Sequence, residues 1–201
     1  MTAAQAPTRR PGRPRSAEAD TAIIDATLEL IVDGGIDGLS VESVAARAGV
    51  GKATIYRRWA NKDELVEDAL SSLSDALPEL PEGDNTRDRL VVMVEQIRAK
   101  SVETCSGRLM PRMLSYATQH PDLFTHYYTS VIQPRRERYR VVLAEGIASG
   151  QLRADLDIEL AATLIAAPML YLHLMQVGMG APGPGTSQAL VDMVLDGIRA
   201  R

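Results

Sequence analysis

Apolar residues recur at three- and four-residue spacing along most of this chain, which is the spacing of amphipathic α-helices. The first run follows Ser16, a favourable N-cap, and stops at Gly34 and Gly35. Later runs predict helices at residues 41–48, 52–59, 62–77, 86–105, 108–119 and 121–150, and two more that begin near 157 and 186. The sequence lacks the alternating pattern expected of β-strands. The pattern therefore predicts an all-α protein, in which Pro134 bends or divides one helix and Pro168 kinks another.

A proline-rich loop at residues 78–85 divides the predicted helices into two groups. We expect an N-terminal domain at residues 16–77, which includes the helix before the loop, and a C-terminal helical bundle at residues 86–201. Residues 1–15 carry three prolines, four arginines and few apolar side chains. This composition predicts a disordered basic arm.

Residues 40–65 hold two short predicted helices joined by a tight turn. Ala45 is small enough to let the two helices cross at a steep angle, and Gly49 can adopt the left-handed backbone conformation that the turn needs. Ser40 is a favourable N-cap for the first of these helices. The layout is typical of a DNA-reading helix-turn-helix, whose second helix enters the major groove.

Outward positions of the helix at residues 52–59 carry side chains that suit contacts with DNA. Their donors can reach phosphates and base edges, and a small residue near the helix start lets the backbone approach the groove. The predicted contacts are Lys52, Ala53, Thr54, Tyr56, Arg57 and Arg58, with Lys62 of the next helix as a phosphate contact. Trp59 is expected to pack between helices rather than to stack on a base. In the arm, Arg13 and Arg15 belong to a GRPR sequence typical of minor-groove binding, and a solvated tail is the alternative.

The run GVGKATIYRRWANKDEL, preceded by GGIDGLSVESVA, resembles the N-terminal domain of the TetR (tetracycline-repressor) family of transcriptional regulators. The resemblance covers about residues 16–70. It implies that Thr54, Tyr56 and Lys62 contact phosphates. It also implies that Lys52, Ala53, Arg57 and Arg58 face the major groove.

Glu42 occupies a place where the tetracycline repressor has a base-reading arginine. A glutamate there can accept a hydrogen bond from a cytosine amino group, or it can complement the dipole of the helix at residues 41–48. The role of the arginine therefore does not transfer to Glu42, although the position stays a candidate DNA contact.

The last two predicted helices are apolar on more than one side, and so large an apolar surface needs a partner. The simplest partner is the same pair of helices from a second subunit, which would form a two-fold four-helix bundle. The alternative is that the last helix packs back on its own domain. A dimer would place two recognition helices one turn of DNA apart and so read a palindrome. The predicted interface residues are Leu160, Leu164, Tyr171, Leu190, Val194 and Ile198.

Methionine and aromatic residues are frequent in the helices of the C-terminal part. Methionine adapts to irregular apolar shapes and tyrosine adds a polar tip, so these side chains can line a pocket for a small hydrophobic or aromatic effector. Plain core packing is the alternative, and the resemblance to TetR regulators favours the pocket. The predicted ligand-binding residues are Met93, Ile97, Met110, Met113, Leu114, Phe124, Tyr127, Tyr128, Met169 and His173.

Composition and charge narrow the function further. The net charge of −4 does not exclude a DNA partner, because basic residues concentrate at residues 9–15 and 52–62. The single cysteine, Cys105, excludes an internal disulfide, and no apolar run approaches the roughly twenty residues that a bilayer needs. We therefore expect a cytoplasmic protein without a membrane partner.

Catalytic and metal-binding patterns are missing from the sequence. His120, His126 and His173 lack metal-ligand spacing, and no phosphate-binding GxxxxGK run occurs. We expect no metal, no cofactor and no enzymatic activity. The sequence predicts a homodimeric regulator, most simply a repressor that binds a palindromic DNA operator and is released by an effector. A helical-bundle adaptor without specific DNA binding and a small all-α enzyme are the alternatives.

Overall fold

The computed structural model describes residues 15–75, 79–103, 105–175, 180 and 182–198 of the chain. The predictions for residues 1–14, including Arg13 and most of the basic arm, lie outside them. Within the described residues the chain forms ten α-helices and one π-helical turn, so the predicted all-α class is confirmed. In chain order these are α1 (Arg15–Gly34), α2 (Val41–Ala48), α3 (Lys52–Tyr56), α4 (Lys62–Asp75), α5 (Thr86–Glu103), α6 (Cys105–Ser115), α7 (Pro121–Tyr127), the π turn (Tyr128–Ile132), α8 (Gln133–Ala148), α9 (Ile158–Leu174) and α10 (Thr186–Ile198).

Local signals determine both ends of α2. At its start, the Ser43 amide donates to Ser40 Oγ at 3.1 Å and the Ser40 amide donates to Ser43 Oγ at 3.1 Å. This reciprocal pair satisfies amides that a helix start leaves unpaired. At its end, Gly49 has a φ of 66°, and the next amide, of Val50, donates to the Ala45 carbonyl at 3.0 Å. The left-handed glycine thus turns the chain toward α3.

A first core joins α1–α4 to helices from the C-terminal part of the sequence. Ile23, Val44 and Leu65 from the first group are fully buried, or nearly so, in the same cluster as Leu109 and Met113 of α6. Side chains of α7 and of the π turn complete this cluster. Residues 79–85, the described part of the predicted domain boundary, form a loop, and the first core contains residues from both sides of it.

A second core lies among α5, α8, α9 and α10. Its buried residues are Leu90, Met93, Val94, Tyr139, Val142, Leu143, Leu152, Ala161, Ala162, Ile165, Met169, Val191 and Leu195. The continuous run of α7, the π turn and α8 connects the two cores, because its first part packs in the first core and its last part in the second.

The predicted helix at residues 121–150 is interrupted by the π turn, just before Pro134. Proline has no amide hydrogen, and its ring crowds the carbonyl four residues earlier, which here belongs to Ser130. A π turn widens the backbone at such a point. The Ser130 carbonyl instead accepts a hydrogen bond from the Ser74 hydroxyl of α4. The distortion therefore provides an attachment point for α4.

Candidate DNA-binding surface

The inner side of α3 fixes its orientation on the first core. Ile55 is 1% exposed and Trp59, just after the helix, is 6% exposed. The Trp59 indole Nε1 donates to Asp68 Oδ2 of α4 at 2.9 Å. This burial agrees with the interpretation of Trp59 as a packing residue, since a base-stacking ring would face outward.

The outer side of α3 and its C-cap residue carry five of the predicted DNA contacts. Lys52, Ala53, Tyr56 and Arg57 are exposed, and Thr54 is half-buried. Tyr56 is 54% exposed, which is unusual for a large aromatic side chain without a partner. α3 ends at Tyr56, and the predicted continuation to residue 59 is a tight turn in which the Arg58 amide donates to the Ile55 carbonyl at 2.9 Å.

Arg58 does not face outward with the others, which corrects the prediction that it faces the major groove. Its guanidinium pairs with the Asp20 carboxylate of α1, and its Nη1 donates to the Thr54 carbonyl at 3.1 Å. Because the chain turns after Tyr56, the side chain points back toward α1, and it is only 18% exposed. In this conformation Arg58 attaches α3 to α1.

Lys62 lies at the first position of α4 and is half-buried. Its ammonium donates to the Ile36 carbonyl at 3.4 Å. The same helix start is capped by Asn61, whose Oδ1 accepts from the Glu64 amide at 2.8 Å. Lys62 therefore links the loop before α2 to α4 and stays a predicted phosphate contact.

Glu42 of α2 is exposed beside Lys52 of α3, and the Lys52 ammonium lies 2.7 Å from Glu42 Oε1. The hydrogen bond from Lys52 lowers the pKa of the Glu42 carboxyl, and the same bond raises the pKa of Lys52. Both groups are therefore charged at neutral pH. Arg15 begins α1, and its side chain lies outside the described residues.

A polar cleft lies behind Trp59, between α4 and α7, with a volume of about 410 Å³. Its lining includes Glu67, Ser71 and His126. The His126 ring Nε2 lies 2.9 Å from both the Ser71 hydroxyl and the Glu67 carbonyl. The sequence analysis did not predict these contacts of His126 with α4, because the partner residues are more than fifty positions away in the sequence.

The predicted ligand-binding residues do not converge on one place. Met113 and Tyr127 are buried in the first core, whereas Met93 and Met169 are buried in the second. Of the remaining residues, Ile97, Met110 and Phe124 are half-buried, and Leu114 and Tyr128 are exposed. The side chain of His173 lies outside the described residues.

Two buried tyrosines, Tyr127 in the first core and Tyr139 in the second, carry hydroxyls without a hydrogen-bond partner among the described residues. Burial raises the pKa of both phenols. Burial also lowers the pKa of the Arg135 guanidinium, and the nearby Tyr127 opposes this shift. The sequence analysis missed Tyr139 and Arg135, although the four-residue spacing from Tyr127 through Val131 was a usable signal.

The predicted dimer residues separate by helix. Leu160, Leu164 and Tyr171 of α9 are 57%, 48% and 55% exposed. Leu190 and Val194 of α10 are half-buried against the second core, and the side chain of Ile198 lies outside the described residues. On α9, at the residue after it and on α10, three exposed apolar residues were not predicted: Leu174, Met175 and Met193, the last 68% exposed. The unpaired apolar surface is thus centred on α9.

In the described part of the chain, no helix is long and apolar enough to cross a membrane. The same residues contain no group of three or more histidine, cysteine, aspartate or glutamate side chains placed to hold a metal ion.

Comparison with known proteins identifies the family. The family described as "Bacterial regulatory proteins, tetR family" matches residues 23–69, and "Tetracyclin repressor-like, C-terminal domain" matches residues 80–194. The chain is 34% identical over 165 residues to the uncharacterized HTH-type transcriptional regulator YdeS of Bacillus subtilis, with 82% of each protein covered. It is 27% identical over 150 residues to the DNA-binding transcriptional repressor TetR of Mycobacteroides abscessus, covering 74% of this chain and 76% of that protein.

The fold agrees with that of solved regulators. The transcriptional regulator FadR of Bacillus subtilis, determined in complex with stearoyl-CoA, superposes with a TM-score of 0.70 at 20% identity and covers 88% of this chain and 95% of that one. The family consists of transcriptional regulators rather than enzymes. α3 presents basic residues outward, Ile55 and Trp59 are buried in the first core, and both family descriptions match the chain. The chain therefore belongs to the TetR family and is a DNA-binding transcriptional regulator with an N-terminal helix-turn-helix.

Proposed function

We propose that this regulator is a homodimeric repressor, which binds a palindromic operator through α3 of each subunit and is released by a small hydrophobic or aromatic effector. The observation that carries the proposal is the two-sided character of α3. Ile55 is 1% exposed on the core side, whereas Tyr56 is 54% exposed on the outer side, among basic neighbours. The name of the M. abscessus relative supports the repressor assignment.

The outer residues of α3 divide into two roles. Thr54, Tyr56 and Lys62 contact phosphates and fix the position of the helix on DNA. Lys52, Ala53 and Arg57 face the bases and determine sequence preference. Arg58 is not among the base-reading residues, because it is engaged with Asp20. The arm, with Arg13 and Arg15, adds contacts in the adjacent minor groove.

The exposed face of α9 is the surface on which two subunits pair. Leu160, Leu164 and Tyr171 recur at four- and seven-residue intervals, so they share one side of the helix. Against a second copy they form an interface related by two-fold symmetry, and the neighbouring α10 extends it through Met193. The two recognition helices then meet equivalent half-sites one turn of DNA apart.

The effector binds among the C-terminal helices, where Tyr127 and Tyr139 offer hydroxyls without partners among the described residues. A buried hydroxyl without a partner is costly, so a ligand that supplies one binds favourably there. An α-helix has about 3.6 residues per turn, so side chains spaced four residues apart shift gradually around the helix. The π turn between Tyr127 and Tyr139 reduces that shift, so the two side chains face in more similar directions. The stearoyl-CoA complex of the B. subtilis neighbour makes long-chain acyl compounds the first class to screen.

Effector binding reaches the DNA-binding helices through α4 and α6. His126 of α7 contacts α4 at Ser71 and Glu67, and Tyr116, just after α6, contacts the loop before α2 at Ile36. The effector shifts the equilibrium only if it binds the conformation that releases DNA more tightly than the DNA-bound one. Displacement of α4 by the effector changes the separation of the two recognition helices and thereby releases the operator.

A gel-shift titration with the DNA upstream of its own coding region tests the core of the proposal. We expect a sequence-dependent complex whose affinity falls steeply as salt rises, because phosphate contacts release counterions. Tyr56→Phe is expected to weaken this complex on all sequences. Tyr128→Phe, which alters an exposed tyrosine of the π turn, is the matched control and leaves affinity unchanged. Absence of any sequence-dependent complex at low salt refutes the proposal.

A further inference from the structure

An ion pair joins α2 to α3 on the exposed side of the helix-turn-helix. Lys52 Nζ lies 2.7 Å from Glu42 Oε1, and the two side chains are 54% and 62% exposed. Exposed pairs of this kind add little to stability. A carboxylate on a DNA-facing surface also repels phosphates. General DNA affinity therefore does not account for Glu42, and folding uses the carboxylate only to complement the dipole at the start of α2.

The outer edge of this pair is open to a ligand. Gly51 precedes Lys52 and Ala53 follows it, and both are exposed. A Cβ atom added at Gly51 would meet no atom within 4 Å. No bulky neighbour in the adjoining sequence therefore separates the pair from a base edge that enters between α2 and α3.

The pair retains hydrogen-bonding capacity after its internal bond is made. Lysine has three donors and a carboxylate has two oxygens, so one donor used on Glu42 leaves two, and acceptor sites of the carboxylate remain. The pair thus presents a donor and an acceptor side by side, separated by the 2.7 Å of one hydrogen bond.

A G·C base pair presents the complementary arrangement in the major groove. Guanine offers the acceptors N7 and O6, and cytosine offers the N4 amino donor. Because cytosine N4 donates a Watson–Crick hydrogen bond to guanine O6, these two atoms are also one hydrogen-bond length apart, roughly 2.9 Å. An A·T pair also has adjacent donor and acceptor groups, because the adenine N6 donor lies between the acceptors adenine N7 and thymine O4. A lysine beside that donor therefore reaches one acceptor, N7 or O4, instead of the adjacent guanine acceptors O6 and N7.

We propose that Glu42 and Lys52 act as one unit that reads a G·C base pair in each operator half-site. Lys52 donates to guanine O6 and N7, and Glu42 accepts from cytosine N4 while keeping its bond to Lys52. The inference rests on the proposed DNA-binding mode of α3 and adds the identity of one base pair to it. Glu42 is then a specificity-determining residue.

The experiment first selects bound sequences with the wild-type protein and then measures affinity for all four base pairs at each operator position at fixed salt. The variants are Glu42→Ala, Lys52→Met and the double variant. Glu29→Ala is the matched control, because it removes a carboxylate from a 3.0 Å pair with Arg47 that joins α2 to α1 instead of α3. Thermal unfolding followed by circular dichroism verifies folding, and Glu42→Gln replaces Glu42→Ala if the alanine variant is unfolded.

The wild type is expected to prefer G·C at one position of each half-site by roughly tenfold to a hundredfold. Each single variant should lose most of that preference at the same position, and the double variant should lose little more. The control keeps the full preference. Non-additive losses at one position are the signature of a unit that works only when both members are present.

Two outcomes overturn the inference while leaving the proposed function intact. If Glu42→Ala strengthens binding to every sequence and changes no preference, Glu42 only screens Lys52. If the two single variants lose preference at different positions, the residues act separately. A wild-type protein that selects no sequence at all contradicts the proposed function itself.

Discussion

Polar contacts join helices that are distant in the sequence at both cores, and the first core adds a buried hydrogen bond between neutral groups. In the first core, the Tyr116 hydroxyl accepts a buried hydrogen bond from the Ile36 amide at 2.8 Å. The second core is closed at its surface by charged groups. Arg87 of α5 pairs with Asp192 of α10 at 2.6 Å, and Glu95 of α5 accepts from the Ser187 hydroxyl of α10 at 2.6 Å.

The two cores are associated with two different tasks of the regulator, DNA binding and the proposed pairing of subunits. The DNA-binding helices share a core with α6 and α7, so a disturbance of those helices reaches α3 through packed side chains. The second core carries α9, whose outer face is the proposed dimer surface. Damage to the first core should therefore affect operator binding directly, whereas damage to the second should act through stability and pairing.

The largest effect is expected from one leucine in each core. Leu109 and Leu143 are both 0% exposed, the first in the first core and the second in the second. Replacement of either by alanine leaves a cavity and should lower the free energy of unfolding by about 2–5 kcal/mol. Urea unfolding measures this change for both variants.

The two leucine variants differ in operator binding. At a temperature where both are folded, Leu109→Ala should weaken operator binding, because Leu109 belongs to the core that α6 shares with α1–α4. Leu143→Ala should retain operator binding for the dimeric protein. Gel-shift titration at protein concentrations above the dimer dissociation constant makes the comparison. Equal operator affinities for the two variants would show that the first core does not connect α6 to the DNA-binding helices.

A smaller effect is expected from the glycine that contacts Tyr116. Gly35 has a φ of 79°, and a Cβ atom there would lie 2.7 Å from the Tyr116 hydroxyl oxygen. Gly35→Ala should therefore incur backbone strain of roughly 1–2 kcal/mol. It should also displace Tyr116 from the Ile36 amide.

Gly150→Ala is the matched control for this change. Gly150 has a φ of 73°, but a Cβ atom there meets nothing within 4 Å. The Gly150→Ala variant should show the backbone strain alone, so any greater loss of stability in Gly35→Ala measures the Tyr116 contact. If both variants unfold at the same urea concentration, Tyr116 moves aside without cost and does not attach α6 to the loop before α2.

The N-cap of α2 should have a still smaller effect. Ser40→Ala removes the oxygen that accepts from the Ser43 amide at 3.1 Å, which should lower stability by about 1 kcal/mol. Ser115→Ala removes a hydroxyl that donates to the Arg112 carbonyl at 2.6 Å on the exposed surface, and should change stability by less than about 0.5 kcal/mol. Thermal unfolding followed by circular dichroism compares the two. A loss from Ser115→Ala as large as that from Ser40→Ala would show that the cap has no special role.

The sequence predicted features that depend on neighbouring residues and missed those that depend on distant ones. The bounds of α2 were predicted at residues 41–48, because Ser40 and Gly49 act within one helical turn. The inclusion of α6 in the first core was missed, since Tyr116 and Ile36 are 80 positions apart. Arg58 was assigned to the DNA face because its residue type and position fit, and its partner Asp20 on another helix was not evident from spacing.

The smallest effect concerns acid stability and distinguishes the surface of the second core. The hydrogen bond from Arg98, followed by that from Ser187, lowers the pKa of Glu95 to about 2 from an ordinary value of 4.5. A carboxyl with a lowered folded pKa stabilises the fold above its unfolded pKa and loses that contribution as pH falls through the folded value. The wild type should therefore lose this stabilisation between about pH 4.5 and pH 2. Glu95→Gln should flatten the pH dependence of stability in that window.

Trp59 is the only tryptophan and lies in the first core, so its fluorescence reports on that core, whereas circular dichroism reports on all helices. As pH falls in the wild type, the helical signal should decrease at a higher pH than the fluorescence changes. Glu95→Gln should remove this difference in pH between the two signals. Glu137→Gln is the control, because it removes a carboxylate from an exposed pair with Arg140 within α8 and leaves the bonds between α5 and α10 intact. Since Glu95 is 39% exposed, solvent screens its interaction with Arg98 and the effect should be modest. A fluorescence change that precedes the helical change would place the acid-sensitive part in the first core and reverse the comparison.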